Sequence, residues 1–315
     1  MNHLTTKLLL TIAFIFCISG SSAALPRRGF MLDTLSINVA KAQHDVNLIA
    51  DDGGNLVRFP IYFSTSYCDV GCWLSFAEQV QAVANSRGIV TVLDFHHPGP
   101  CPPGSANCST ITDENNFVAK WGLFAQRFAN KSRVWYDLLN EPANSDWSRI
   151  ALRAAQTIRA HDSHNAIVYA ARGSTTSQAS SSTFRPLPGI SNQIVEFHFW
   201  DWWPTVQFYD PSVSSRYRYV GSAGSASSTA YTLAQLQAKL ENVRRFGATH
   251  GVPVYIGEVG INRSHRDAAR FLRDFTTECK TKGIHLTVHA FREADVWNYE
   301  LNQDAWRILT SWLRG

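Results

Sequence analysis

The chain has 315 residues, of which 45% are hydrophobic, 12% aromatic and 17% charged. This composition is typical of a large folded domain and excludes a disordered chain and a coiled coil. The 29 basic and 25 acidic residues are spread along the sequence rather than grouped in blocks, so the charge gives no support for nucleic-acid binding.

Residues 1–24 have the pattern of a secretory signal peptide. Lys7 precedes an apolar run over 8–16, and small residues follow over 19–24. A membrane anchor is the alternative, but the apolar run falls short of the roughly 20 residues that span a bilayer. We therefore predict cleavage near residue 24, a secreted extracellular protein that does not associate with membranes, and a mature chain over 25–315.

From residue 25 onward, short apolar and β-branched runs alternate with segments of helical periodicity. The predicted strands are Gly29–Asp33, Leu56–Tyr62, Ile89–His96, Val134–Asn140, Ala166–Ala171, Ile194–Trp200, Pro253–Val259 and His285–Phe291. The predicted helices include Trp73–Arg87, Glu114–Asn130, Asp146–His161, Thr232–His250, Ala268–Lys282 and Gln303–Leu313. This alternation predicts an α/β fold with a parallel sheet, and eight strands fit one (β/α)₈ TIM barrel. A doubly wound sheet would usually carry a Gly-rich phosphate turn after its first strand, and the sequence has none there.

Five cysteines follow residue 24. The short separations of Cys68 from Cys72 and of Cys101 from Cys108 favour two local disulfides, with Cys279 unpaired. A zinc site made of four cysteines is the alternative, but such sites normally use Cys-x-x-Cys pairs. Three sequons, which are potential glycosylation sites in a eukaryotic source, begin at Asn107, Asn130 and Asn262.

Two glutamates end predicted strands in otherwise apolar surroundings. Glu141 follows Asn140 at the end of the fourth strand, and Glu258 lies near the end of the seventh. A lone glutamate at such a position commonly caps a helix or forms an ion pair, because burying it unpaired is costly. Strands four and seven, however, face each other across the mouth of a barrel, and two carboxyl groups about 5–5.5 Å apart are the machinery of a retaining glycosidase. We therefore predict that Glu141 and Glu258 form a catalytic pair.

The chain resembles glycoside hydrolase family 5, the cellulase family of clan A, over nearly the whole mature sequence. The matching segments, in the family's order and approximate spacing, are Arg28-Gly29-Phe30, Arg58-Phe59-Pro60, Leu93-Asp94-Phe95-His96, Leu139-Asn140-Glu141-Pro142, His198 and Ile256-Gly257-Glu258. The resemblance implies that Glu141 is the acid/base and Glu258 the nucleophile.

The same resemblance implies roles for four further polar residues. Asn140 would bind the sugar 2-hydroxyl, and Arg58 would hold the nucleophile ionised. His96 and His198 would line the subsite where cleavage occurs. The neighbouring His97 is predicted to point away from the site and to be structural.

Aromatic residues near the strand ends depart from the family pattern. Where the family has a tyrosine two residues after the sixth-strand histidine, this chain has Trp200, so either Trp200 performs that role differently, Tyr209 reaches in, or activity is reduced. The segment Trp200-Asp201-Trp202-Trp203 suits sugar stacking, and we predict substrate contacts for Trp200 and Trp202. The predicted eighth strand holds no tryptophan, so we assign the family's platform there to Trp297.

Together with the predicted signal peptide, the resemblance leads us to expect a secreted, monomeric, retaining β-glycosidase that acts on a β-linked polysaccharide or oligosaccharide without metal or cofactor. We favour an endo-β-1,4-glucanase. A β-mannanase and a β-1,3-glucanase stay as alternatives, because the barrel residues that all family members share do not select the sugar. A catalytically idle carbohydrate-binding barrel is the alternative from another class. Retention of both glutamates argues against it, and Trp200 in place of tyrosine argues for it.

Overall fold

A computed structural model of the protein describes residues 26–315, apart from residues 65, 102–107, 208 and 211 and the side chain of Trp203. The predicted signal peptide and the sequon at Asn107 therefore lie outside the described residues. No helix in the described part of the chain combines the length and the apolar character needed to span a membrane.

Eight parallel strands close into a barrel, as the sequence predicts. They are β1 (Arg28–Leu32), β2 (Leu56–Tyr62), β3 (Val90–His97), β4 (Val134–Asp137), β5 (Ala166–Thr175), β6 (Gln193–Phe199), β7 (Val254–Val259) and β8 (His285–Phe291). Each strand pairs with its sequence neighbours, and β8 closes the barrel on β1. The carboxyl ends of all eight strands meet at one mouth, where barrel enzymes place their active sites.

Helices surround the barrel. They are α1 (Val39–Asp51), α2 (Val70–Ser86), α3 (Glu114–Phe128), α4 (Trp147–Arg159), the short α5 (Trp203–Val206) and α6 (Val213–Arg216), α7 (Leu233–His250), α8 (Ala268–Lys282) and α9 (Gln303–Arg314). Single turns of 3₁₀ helix lie at Thr176–Ser180, Asp295–Trp297 and Tyr299–Leu301. Between α6 and α7, strands Arg218–Gly221 and Ala230–Thr232 form a separate two-stranded sheet.

Helix α1 and the small sheet after β6 are among the elements that the sequence did not predict. Helix α1 begins after Asn38, whose side chain accepts a hydrogen bond from the backbone N–H of Lys41, and it buries Ala42, Val46 and Ile49 on one face. That cap and that spacing are readable signals of a helix. The small sheet after β6 has no such signal, because its strands are only four and three residues long.

The barrel interior has two layers because alternate residues of a strand face the same side. The lower layer is an apolar cluster that includes Leu56, Val92 and Ile194. Two residues further along the same strands come Arg58, Asp94 and Glu196, all fully buried. Period-two alternation therefore places a layer of charged side chains between this apolar cluster and the mouth. We call that layer the charged floor of the mouth.

Both predicted disulfides are present. Cys68 is bonded to Cys72 at the start of α2, and Cys101 is bonded to Cys108 in the loop after β3. Cys279 is a free thiol buried in α8. Burial raises the pKa of the Cys279 thiol well above its ordinary value, so this group stays protonated and unreactive.

Candidate active site

Glu258 lies at the mouth end of β7, with 4% of its surface exposed. A register shift between β6 and β7 pairs it with His198, after Phe197 has paired with Ile256. Its Oε1 accepts a hydrogen bond of 2.5 Å from Nη1 of Arg58, and its Oε2 lies 3.5 Å from Nδ1 of His198. Burial by itself would raise the pKa of Glu258, but the positive charges of His198 and Arg58 outweigh burial and hold that pKa well below its usual range.

Arg58 is fully buried and contacts several acidic side chains at once. Its Nη2 lies 2.9 Å from Asp137, 3.3 Å from Asp94 and 3.5 Å from Glu196, in addition to the contact with Glu258. Burial, with Glu196 next in importance, raises the pKa of Asp137 well above its ordinary value.

Glu141 lies on the opposite side of the mouth, where the chain turns away from β4. Its backbone has φ +41°, the left-handed region that a residue other than glycine rarely adopts, and such backbone strain is common at functional sites. Its side chain is 38% exposed, and its Oε1 lies 2.9 Å from Nδ1 of His198. The preceding Asn140 is held by Arg58, whose Nη2 donates to its Oδ1 at 3.1 Å.

His198 connects the two predicted catalytic glutamates. Its Nδ1 faces Glu141 and Glu258, while its Nε2 lies 3.4 Å from Oε1 of Glu196. Burial would lower the pKa of His198, but Glu258, Glu141 and Glu196 together raise it well above its ordinary value. We therefore assign a positively charged imidazole, whose Nδ1 lies against both glutamates.

The two histidines that end β3 have different partners. Nδ1 of His96 lies 2.8 Å from Asp94, and although burial opposes it, this carboxylate raises the pKa of His96. His97 instead pairs its Nδ1 with the hydroxyl of Ser64 at 2.7 Å. Burial and the neighbouring His96 lower the pKa of His97 to about 4. His96 thus contacts the charged floor through Asp94, whereas the side chain of His97 pairs with the loop residue Ser64.

The three tryptophans that the sequence predicts to contact the substrate differ in how far they are buried. Trp200 is partly exposed at the mouth, and its ring meets His289 edge to face at 5.8 Å. Trp202 is 4% exposed and stacks on Tyr231, and Trp297 is 2% exposed. This depth of burial does not favour the direct substrate contact expected for Trp202 and Trp297, which stays a prediction. Both residues pack the core beside the mouth.

Tyr209, the residue considered as a substitute for the family tyrosine, is 68% exposed. A ring with this exposure does not pack against the buried Glu258. The position beside the nucleophile is filled instead by His289 of β8, whose Nδ1 lies 3.9 Å from Oε2 of Glu258.

Several residues of the site were not singled out by the sequence. Asp137, Glu196, His289 and Glu293 all join the network around Glu258, and none was assigned a role. A signal was available for Glu196, because an acidic residue inside the apolar run Gln193–Phe199 is as unusual as Glu141. Its place also depends on Gly257, since a Cβ there would lie 1.7 Å from Oε1 of Glu196.

Comparison with known proteins decides the family of this chain. The family model of cellulases, described as glycosyl hydrolase family 5, matches residues 24–295. The chain belongs to glycosyl hydrolase family 5. It is therefore a glycoside hydrolase, and its closed barrel is the fold that the resemblance implies. No match was found among curated protein sequences.

Solved structures of low sequence identity share the fold of this glycoside hydrolase. A family 5 xyloglucanase from Paenibacillus pabuli has a TM-score of 0.71 at 14% identity, over 86% of this chain and 90% of that one. The Cel5A enzyme of Thermotoga maritima, in complex with mannotriose, has a TM-score of 0.68 at 17% identity, over 90% of this chain and 97% of that one. The cellulose synthase subunit Z of Clostridioides difficile has a TM-score of 0.69 at 17% identity, over 92% of this chain and 100% of that one.

Proposed function

We propose that the protein is a secreted, retaining endo-β-1,4-glucanase with Glu258 as nucleophile and Glu141 as acid/base. One observation carries this proposal: an oxygen of each glutamate and a nitrogen of His198 all lie within 4.8 Å of one another. An inverting enzyme separates its carboxyl groups by roughly 6.5–9.5 Å to admit a water between them, whereas a retaining enzyme keeps them at roughly 5–5.5 Å. The short separation supports double displacement.

In the first step, a Glu258 oxygen bonds to the anomeric carbon as the glycosidic C–O bond breaks. Glu141 gives its proton to the leaving oxygen. In the second step, Glu141 takes a proton from water, and the water oxygen displaces Glu258 from the anomeric carbon. The two inversions restore the starting configuration. Glu258 suits the attacking role because Arg58 and His198 keep it ionised, and Glu141 suits proton transfer because it is the more exposed of the two.

The residues around the pair support binding of the reacting sugar. Arg58 occupies Oδ1 of Asn140, which leaves the Asn140 amide N–H groups to donate to the sugar 2-hydroxyl. The imidazoles of His96 on β3 and His198 on β6 both lie close enough to Glu258 to act on its charge. Trp200 lies at the edge of the mouth, partly exposed, with its ring against His289.

The choice of β-1,4-glucan rests on similarity and not on a contact in this structure. Structures with this fold include an endo-β-1,4-glucanase and the Thermotoga enzyme in complex with cellobiose. That enzyme was also solved with mannotriose, which supports β-mannan as the second candidate substrate.

A reducing-sugar assay on cellulose derivatives, mannan, xylan and laminarin tests the proposal. We expect the highest rate on β-1,4-glucan, with an early fall in viscosity that marks internal cleavage. Proton NMR of the first product should show the β-anomer. A Glu141→Gln, Glu258→Ala double variant controls for contaminating enzymes. The absence of activity on every polysaccharide, together with retained binding, would favour a carbohydrate-binding barrel.

Secretion is tested separately. Expression of the full chain in a secreting host should place the protein in the medium with an amino terminus near residue 25, as read by amino-terminal sequencing. Retention in the cell with Met1 intact would contradict a cleaved signal.

A further inference from the structure

The mouth end of β8 carries a pair of polar residues that no step above uses. His289 lies two residues before the end of the strand, and Glu293 follows it by four residues. Nε2 of His289 lies 3.3 Å from Oε2 of Glu293, and its Nδ1 lies 3.9 Å from Oε2 of Glu258. Within the described part of the chain, His289 Nδ1 and Glu293 Oε2 are both buried without a hydrogen-bond partner.

The imidazole of His289 is held in place by two indoles. Trp200 and Trp297 meet it edge to face, with ring centroids 5.8 Å and 5.0 Å away. The side chains of His289 and Glu293 are only 15% and 17% exposed, so water has limited access to either. A buried polar pair of this kind must satisfy its own hydrogen bonds or bind a ligand that does.

The charge on Glu258 determines which nitrogen of His289 carries a proton. An anion near Nδ1 favours an N–H there over a lone pair, because the lone pair would face the negative charge. A neutral imidazole with Nδ1–H presents a lone pair at Nε2, and that lone pair faces Glu293. A carboxylate there would repel it, whereas a protonated carboxyl group would donate a hydrogen bond to it.

We propose that Glu293 and His289 form a positioning pair for the glycosidase reaction, in which the protonated Glu293 donates to Nε2 of His289 and so fixes its Nδ1–H toward Glu258 and the sugar bound there. The inference rests on the proposed function and adds a polar determinant to the subsite where cleavage occurs. The separation of 3.9 Å leaves the N–H free to reach the sugar or the departing carboxylate as substrate binds.

The pKa values of the pair agree with this arrangement. Burial raises the pKa of Glu293 to about 7, where His96 opposes the rise and Glu258 adds to it. Burial lowers the pKa of His289 to about 4, against the attraction of Glu258. Between these values both groups are neutral, as the hydrogen bond requires.

Groups from every neighbouring strand act on this pair. The groups that face Glu293 are His96 on β3, Glu258 on β7, Asp33 after β1, Lys41 on α1 and Tyr62 on β2. The groups that face His289 are His96, Glu258, Arg58 and His198.

Above pH 7 Glu293 ionises, which removes the hydrogen-bond donor to Nε2 and adds a second negative charge near Glu258. The Nδ1–H orientation is then lost, so kcat/KM is expected to fall as pH rises through about 7.

The kinetic test uses a dinitrophenyl β-glycoside of the disaccharide that the wild type releases. A good leaving group makes kcat/KM insensitive to proton donation by Glu141, so a decline near pH 7 reports another group. We expect this decline in the wild type and its loss in Glu293→Gln, whose amide still donates to Nε2 but cannot ionise. Glu293→Leu should lower kcat/KM about tenfold at pH 6. Glu300→Gln, a partly exposed acid seven residues further on, is the matched control and should keep the decline.

The second test reads the imidazole directly and does not depend on activity. Nitrogen-15 NMR, with the His289 signals assigned from His289→Phe, should show Nδ1–H at pH 5.5 in the wild type and Nε2–H at pH 8.5. In Glu293→Gln the Nδ1–H form should persist at both values. An Nε2–H form at pH 5.5 in the wild type, or equal loss in Glu293→Gln and Glu293→Leu at pH 6, would overturn the inference. A chain that hydrolyses no glycoside but shows the expected NMR change would instead contradict the proposed function.

Discussion

Two parts of the barrel mouth differ in how their side chains are held. The charged floor, made of Arg58, Asp94, Asp137, Glu196 and Glu258, comes entirely from barrel strands, and its members contact one another through Arg58. The aromatic wall, made of Trp200, His289, Glu293 and Trp297, comes from the ends of β6 and β8 and from the segments after them, and its rings contact one another edge to face. The floor contains Arg58 and Glu258, which the sequence predicted for the site. The wall contains Trp200 and Trp297, whose predicted roles need further testing.

The difference shows which side chains a strand positions by itself. In the floor, period-two alternation and the barrel register fix where each side chain points. In the wall, the direction of each side chain depends on how loops of unequal length fold back over the mouth. Chemistry that is common to a family is thus expected in the floor, and substrate preference in the wall. The following variants test that division.

Replacing Glu258 of the floor should have the largest effect. Glu258→Ala removes the attacking oxygen and is expected to lower kcat by about 10⁴-fold or more. Added azide should restore part of the rate, since it fits the vacated space, and the product should have the inverted configuration. Glu241→Ala, at a partly exposed acid on α7, should keep the wild-type rate. A Glu258→Ala variant as fast as wild type would refute the nucleophile assignment.

Glu141 should show a smaller effect that depends on the substrate. Glu141→Gln removes the proton donor, so hydrolysis of polysaccharide should fall by about 10²–10⁴-fold. The first step on a dinitrophenyl glycoside should be largely preserved, because that leaving group needs little protonation. The measurement is kcat/KM across a series of aryl glycosides of rising leaving-group pKa. Equal losses along the series would rule out the acid role.

Arg58 should be the principal stabilising residue of the floor. Arg58→Met leaves buried carboxylates without their guanidinium, and such an unpaired charge costs about 3–5 kcal/mol. Urea unfolding at pH 7 measures the change in free energy of unfolding. Arg87→Met, which breaks a solvent-exposed pair with Asp51, should cost less than about 1 kcal/mol.

Should Arg58→Met fail to fold, Arg58→Lys retains the charge and should fold with reduced stability. A loss below 1 kcal/mol in Arg58→Met would show that the acids of the floor are neutral without it.

Trp200 of the wall should have the smallest effect. Trp200→Ala removes the indole that packs on His289 and is expected to lower kcat about tenfold with little change in KM. Trp200→Tyr, which restores the family residue, should retain or raise the activity. Tyr209→Ala should leave both constants unchanged, since Tyr209 is largely exposed.

The Trp200 kinetics also separate positioning from stacking. A rise in KM with constant kcat in Trp200→Ala would make Trp200 a stacking platform. No change in either variant would make it a packing residue, and the alignment of β6 with the family would then need a shift.

Sequence alone predicted the barrel, both disulfides and the positions of Glu141 and Glu258, because each depends on local signals. Strand bounds at β2 and β8 agree with the prediction in every residue. Disulfides between cysteines four and seven residues apart need no knowledge of distant segments.

The network around Glu258 was decided only by the tertiary structure. Arg58 and Glu258 are 200 residues apart, and nothing local indicates that four acids share one guanidinium. The burial of Trp202 and Trp297 likewise depends on how the segments after β6 and β8 pack. A sequence pattern shows which side chains point into the barrel. How deeply such a side chain is buried depends on all eight strands closing around it, and burial then sets its charge and contacts.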